Sequence, residues 1–156
     1  MRPAVRPGPE LKGNPGAVSL VAEGPDFSDL LVWQPEEVCD AAAPLVTCGN
    51  MVLQGYLALV RRSLDGGVMG YVLGDGGRLS FAGQDLVRAD GTVNVSADAR
   101  EVRVSGKLQT RLGDGPAPAS AKVRLPAIQA QVYVDGIRTE VQPTQGLIAV
   151  GPPSNK

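Results

Sequence analysis

Apolar and polar residues alternate along much of this chain, most regularly in its second half. Val102 and Val104 flank Arg103, and Val123 and Leu125 alternate with Lys122 and Arg124. Further on, Ile128, Ala130, Val132 and Val134 are interleaved with Gln129, Gln131, Tyr133 and Asp135. A period of two places one set on a core and the other in water, which predicts β-strands with one wet face. The first half is less even. Ala17–Val21 predicts a strand. Phe27–Trp33 carries Leu30, Leu31, Val32 and Trp33 as an unbroken apolar run, which predicts a strand buried on both faces with Trp33 as a core anchor. In Met51–Arg62 a helix and a strand compete. Gly55 and the flanking turn residues favour a strand with Leu57 and Leu59 facing inward.

Glycine and proline punctuate these segments, with 20 Gly and 13 Pro spread over 156 residues. Glycine supplies the positive φ that tight hairpin turns require. Turns are therefore predicted at Asp65-Gly66-Gly67, Gly74-Asp75-Gly76-Gly77, Ala89-Asp90-Gly91 and Asp135-Gly136, and another at Ser96–Ala99 leading into Glu101–Ser105. Gly113–Ser120 predicts a longer surface loop, and Leu147–Val150 the last strand. Roughly ten to twelve short strands at this spacing predict an all-β chain folded as an antiparallel β-sandwich, with a distorted β-barrel as the alternative. Residues 1–16, interrupted by Pro3, Pro7, Pro9 and Pro15, predict an extended arm. Residues 17–150 form the sandwich domain, and residues 151–156 a short tail. A chain of this length buries about 68–70% of its unfolded surface, enough for a core without staples.

Charge narrows the partners. Lys and Arg number 15 against 16 Asp and Glu, and no run is polybasic, so nucleic acid is not an expected partner. No apolar stretch approaches the ~20 residues of a membrane-spanning helix, and no membrane partner is expected. Residues 1–16 lack the apolar segment of a signal peptide. Cys39 and Cys48 are spaced either for a disulfide closing a short loop or for two separate thiols, and the spacing alone leaves both readings open. If they are bridged, an extracellular or periplasmic location follows.

Chemistry is limited by the absence of histidine. Ser-His-Asp and Cys-His mechanisms need an imidazole, and two cysteines alone do not close a zinc site. Neither a metal nor a cofactor is expected, and no catalytic residue is assigned. Asp26 with Asp29 and Glu36 with Glu37 are carboxylate pairs by sequence, read as solvated loop acids. Tyr56, Tyr71 and Tyr133 fall in predicted strands, Tyr71 on the core side and Tyr133 outward. The Asp-Gly turns lack the D-x-D-x-D spacing of a calcium loop, and Gly74–Gly77 lacks the Lys-Ser/Thr of a phosphate loop. The stripe Gln129, Gln131 and Tyr133 combines amides with an aromatic face and is the candidate for contact with a glycan or a protein.

Several segments taken in order carry a resemblance: DFSDLLVW (Asp26–Trp33), GYLALVRR (Gly55–Arg62), GYVLGDGGRLSFAGQDLVRADG (Gly70–Gly91), VRLPAIQAQVYVDG (Val123–Gly136) and GLIAV (Gly146–Val150). Residues 17 to 150 are similar to the C-terminal β-sandwich region of heparinase II/III-like polysaccharide lyases. In those enzymes the acid–base residues lie mainly on an α-helical toroid and an adjacent large sheet, and no toroid is present here. The resemblance implies a non-catalytic accessory domain that packs against a larger sugar-active enzyme or touches a polysaccharide weakly. A different expectation is an assembly protein, a virion or surface-layer component, self-associating through residues 1–16. A small stand-alone enzyme is a third.

Overall fold

The computed structural model describes residues 4–14, 16–34, 45–106 and 120–150, and all its regular structure there is β-strand. In chain order the strands are Ala4–Pro7 (β1), Leu11–Lys12 (β2), Val18–Glu23 (β3), Phe27–Trp33 (β4), Leu45–Cys48 (β5), Met51–Gln54 (β6) and Leu57–Ser63 (β7). They continue with Val68–Phe81 (β8), Gln84–Ala97 (β9), Glu101–Gly106 (β10), Ala121–Arg124 (β11), Gln131–Val134 (β12), Ile137–Thr139 (β13) and Leu147–Val150 (β14). The chain is all-β and mostly antiparallel. Only β10 and β12 pair in parallel among the described strands.

The fourteen strands of the described residues belong to one hydrogen-bonded network that does not close into a barrel, which sets aside the barrel alternative. The network folds back on itself at the long hairpin β8–β9. The first half of β8 pairs with β7, and its second half with β6. Likewise β9 pairs with β11 near its start and with β10 near its end. One layer thus runs β1-β3-β4-β7-β8-β9-β10-β12-β13, and the other joins β2, β5, β6, β11 and β14 to the opposite ends of β8 and β9.

The core is built from facing rungs, side chains aligned across neighbouring strands. In the first layer Val21, Leu30, Val60, Tyr71, Ala97, Val102 and Val132 occupy successive paired positions, and all are buried. In the second, Val46, Leu53, Leu79, Val87, Val123 and Ile148 do the same. β-Branched and leucine side chains at alternate positions fit such a pleated surface, which is why the late period-two pattern identified the inward residues Val102, Val104, Val123 and Val132. The layers are tied by Tyr71, whose hydroxyl donates to the carbonyls of Leu86, at 3.2 Å, and Arg124.

Two predicted turns prove to be bends inside strands. Gly74–Gly77 lies within β8 and Ala89–Gly91 within β9, and the register between these strands shifts on both sides of Gly76. The true reversal is Ala82-Gly83, with φ of 52° and 78°. The corner is pinned by Asn94, whose Nδ2 donates to Asp75 Oδ1 at 2.7 Å while its Oδ1 accepts the Asp75 N–H at 2.9 Å. Asp65–Gly67 and Asp135-Gly136 do turn the chain as expected, Gly136 at φ 82°. Met51–Arg62 is two strands rather than one, broken at Gly55-Tyr56.

Residues 4–14, read from sequence as part of an arm, lie along the domain. β1 pairs with β3 and β2 with β5, and the Ser19 hydroxyl donates to the Pro9 carbonyl at 2.9 Å. Asn14 is buried and donates to Gln34 Oε1 at 2.7 Å, and Gln34 Nε2 donates to the Gly55 carbonyl at 2.7 Å.

The turn from β9 to β10 rests on Asp98, whose Oδ1 accepts the N–H groups of Arg100 at 2.7 Å and Glu101 at 2.9 Å. Those bonds hold the carboxyl below its ordinary value of 3.8. A depressed folded value stabilises the fold above pH 3.8, and that stabilisation is lost as pH falls from there through the folded value. Asp98→Ala should therefore lose less stability on acidification than the parent chain. Urea midpoints taken at intervals below about pH 5 test this, and parallel curves for both proteins would refute it.

Candidate functional site

The outer face of the first layer is one residue out of phase with the core rungs. Along one outer rung the paired residues are Pro7, Leu20, Leu31, Leu59, Val72, Ser96, Arg103, Tyr133 and Arg138. Along the next they are Val18, Trp33, Leu57 and Gly74. The face therefore divides. From β1 to β8 it is apolar, and from β9 to β13 it is polar.

Three sequence expectations are corrected here. Trp33 is not a core anchor, because it stands 50% exposed on this face. Leu57 and Leu59 point outward, and it is Ala58 and Val60 that are buried. The run Leu57-Ala58-Leu59-Val60 is apolar at both parities, so only its register against Leu30 and Val32 decides which set enters the core. Ile128 does not face the core either. It sits in a turn ahead of β12 and is 82% exposed.

Asp29 is buried on the apolar half, where Arg61 forks onto both its oxygens at 2.7 and 2.8 Å. The Arg61 guanidinium also stacks 4.1 Å from the Phe27 ring centroid. Asp29 is thus a paired structural acid rather than a solvated one, while Asp26 is exposed. Glu36 and Glu37 lie outside the described residues. The paired charges leave this half of the face close to neutral.

On the polar half, Gln131 and Tyr133 stand together. The Tyr133 hydroxyl donates to Gln131 Oε1 at 2.9 Å, and the Arg103 guanidinium lies 4.3 Å from the Tyr133 ring centroid. Arg103 also bridges to Glu101 at 3.0 Å, which holds its guanidinium over the ring and raises its pKa. Gln129 lies in the turn before β12, exposed and off this ladder, so the predicted three-residue stripe is a pair joined by Arg103. Sequence reasoning missed Arg103, which reaches the stripe through the parallel β10–β12 pairing.

A groove of about 430 Å³ opens where the two halves meet, with Leu57 and Val72 on one side and Asn94, Ser96, Arg103 and Ser105 on the other. Trp33 and Tyr133 sit on β4 and β12, five strand steps apart. At the usual strand spacing that is roughly 24 Å, too far for both rings to stack on one sugar. The Arg103–Tyr133–Gln131 cluster and Trp33 are therefore separate features of this face.

Tyr71 offers no surface chemistry of this kind. Tyr71 is buried, and that burial pushes its phenol above the usual tyrosine range. Tyr56 lies at the β6–β7 break, its carbonyl accepting the Gln34 N–H at 2.8 Å. The turn acids are occupied locally: Asp65 accepts the Gly67 N–H, and Asp135 the Gly106 N–H. Among the described residues no three His, Cys, Asp or Glu side chains stand close enough to hold a metal ion. The pairing of Cys48 with Cys39 falls outside the described residues, since Cys39 is not among them. Cys48 itself is buried, with Sγ 3.5 Å from the Pro9 carbonyl oxygen, and burial raises its thiol pKa. No protein-family model matches the chain, and no curated protein matches it.

Proposed function

We propose that this chain is a non-catalytic β-sandwich module that packs through the apolar half of its outer face against a domain of a larger polysaccharide-processing enzyme. The observation that carries this reading is the continuous apolar surface formed by Val18, Leu20, Leu31, Trp33, Leu57, Leu59 and Val72. Scattered exposed apolar residues are ordinary, but a contiguous patch spanning four strands marks a docking surface. Its one embedded ion pair, Asp29–Arg61, is already satisfied, so the surface suits an apolar and nearly neutral partner. The sugar-active context rests on the sequence resemblance, and the Arg103–Tyr133–Gln131 cluster supplies the weak glycan contact.

Assembly through residues 1–16 is the second reading. What favours docking over it is that β1 and β2 already pair with β3 and β5 of their own chain, leaving less of the arm to reach a neighbour.

Trp33 is the only tryptophan, so its emission reports the patch directly. The chain alone should sediment as a monomer with solvent-exposed Trp33 emission, and should bind an apolar dye. Replacing Leu20 by Lys together with Trp33 by Ala should abolish dye binding while lowering stability by no more than about 1 kcal/mol, because both side chains are already partly exposed. A stable oligomer that persists in this double variant and dissociates when residues 1–16 are removed would replace docking with assembly.

A further inference from the structure

A second, smaller cavity of about 180 Å³ lies between the layers at one end of the sandwich, remote from the outer face. Arg62 and Arg6 line it beside Asn50, and Val21, Leu30 and Phe81 supply apolar wall. Arg6 is bridged to Glu23 at 2.8 Å. Arg62 has no such partner: among the described residues no carboxylate pairs with it, and its Nε is buried without an acceptor from the protein. Its guanidinium is steadied 5.3 Å from the Phe81 ring centroid. Ser28, paired directly with Arg62 on the adjacent strand, also has a buried hydroxyl without a protein partner.

Buried polar atoms in folded proteins are nearly always hydrogen-bonded, so an unpartnered guanidinium on a cavity wall asks for a guest. The cavity carries one uncompensated positive charge and an apolar wall. We infer that it binds a small organic carboxylate, its oxygens accepting from Arg62 and its apolar body lying on Leu30 and Phe81. Guanidinium and carboxylate match in charge and in fork geometry, whereas a neutral guest leaves the charge unmet. At about 180 Å³ the space exceeds that of a single water and suits a compact acid rather than a polymer.

The test is a titration of the isotopically labelled chain at low salt with benzoate, its neutral counterpart benzyl alcohol, and sulfate, followed through backbone amide shifts. Benzoate should give saturable shifts at Asn50, Arg62 and Phe81, and benzyl alcohol and sulfate should each bind at least about tenfold more weakly. Arg62→Gln should weaken benzoate by about tenfold or more. Arg62→Lys keeps the charge without the fork and should show the same loss if the glutamine variant does not fold. Absent or scattered benzoate shifts would overturn the assignment. Equal binding of benzyl alcohol would reduce the site to an apolar cavity, and equal binding of sulfate to a general anion site. Either would overturn the carboxylate. None of these outcomes bears on the outer face, whose residues give separate signals.

Discussion

Replacing Tyr71 by alanine is expected to lower the unfolding free energy by about 4 kcal/mol, and by phenylalanine by about 1.5 kcal/mol. The side chain sits mid-rung in the first layer, between Val60 and Ala97, and is 2% exposed. Alanine leaves a ring-sized void between layers that cannot close without moving β8. Phenylalanine keeps the packing but removes the hydroxyl that reaches across to the carbonyls of Leu86 and Arg124. The two variants thus separate packing from cross-layer hydrogen bonding. Urea denaturation followed by circular dichroism measures both, and a phenylalanine variant as stable as the parent would remove the hydrogen bonds from the account. A pH arm sharpens the test. The folded state holds the phenol neutral, so its stabilisation is complete below the unfolded pKa of 10.0 and is lost as pH rises above it. Tyr71→Phe should lose less stability between about pH 9 and pH 11 than the parent.

Tyr71 is also where sequence and structure agree for a clear reason. It shares its parity with Met69 and Leu73, and the opposite parity carries only the smaller Val68, Gly70 and Val72. The same logic made β10 and β11 legible, because Arg103, Lys122 and Arg124 mark the other face. It failed at β7, where leucine, alanine, leucine and valine follow one another and the parity is set by a partner strand. That failure hid the apolar outer surface, since Leu57, Leu59 and Trp33 had all been assigned inward. Two of the three residues of the polar cluster were visible, Gln131 and Tyr133. Arg103 was not, because its place beside Tyr133 depends on a parallel pairing between residues 30 positions apart in the chain. The cavity at Arg62 left no local signal at all.

The glycines of β8 show how a turn signal can encode a corner instead. Gly74-Asp75-Gly76-Gly77 has the composition of a hairpin, yet the chain runs through it from one layer to the other. What glycine supplies at position 76 is proximity rather than a positive φ. A Cβ there would lie 2.5 Å from the Gln54 carbonyl oxygen and 2.9 Å from the Gly55 Cα, both backbone atoms. Gly55 is the point where β6 gives way to β7, so two crossings between layers touch backbone to backbone at one place. Gly76→Ala is accordingly expected to cost about 3 kcal/mol, the upper part of the range for overpacking, because the obstructing atoms belong to hydrogen-bonded strands and cannot swing aside. Gly91→Ala is the matched control in the facing bend of β9. No atom lies within 4 Å of a Cβ there, and its φ is outside the left-handed range. The same change should be neutral or stabilise by up to about 0.5 kcal/mol through the unfolded chain. If both variants lost stability equally, the cost would reflect the bend in general rather than contact between the two crossings. A large loss at Gly76 alone would place a tight backbone constraint at the corner that holds the two layers, and hence the outer face, in register.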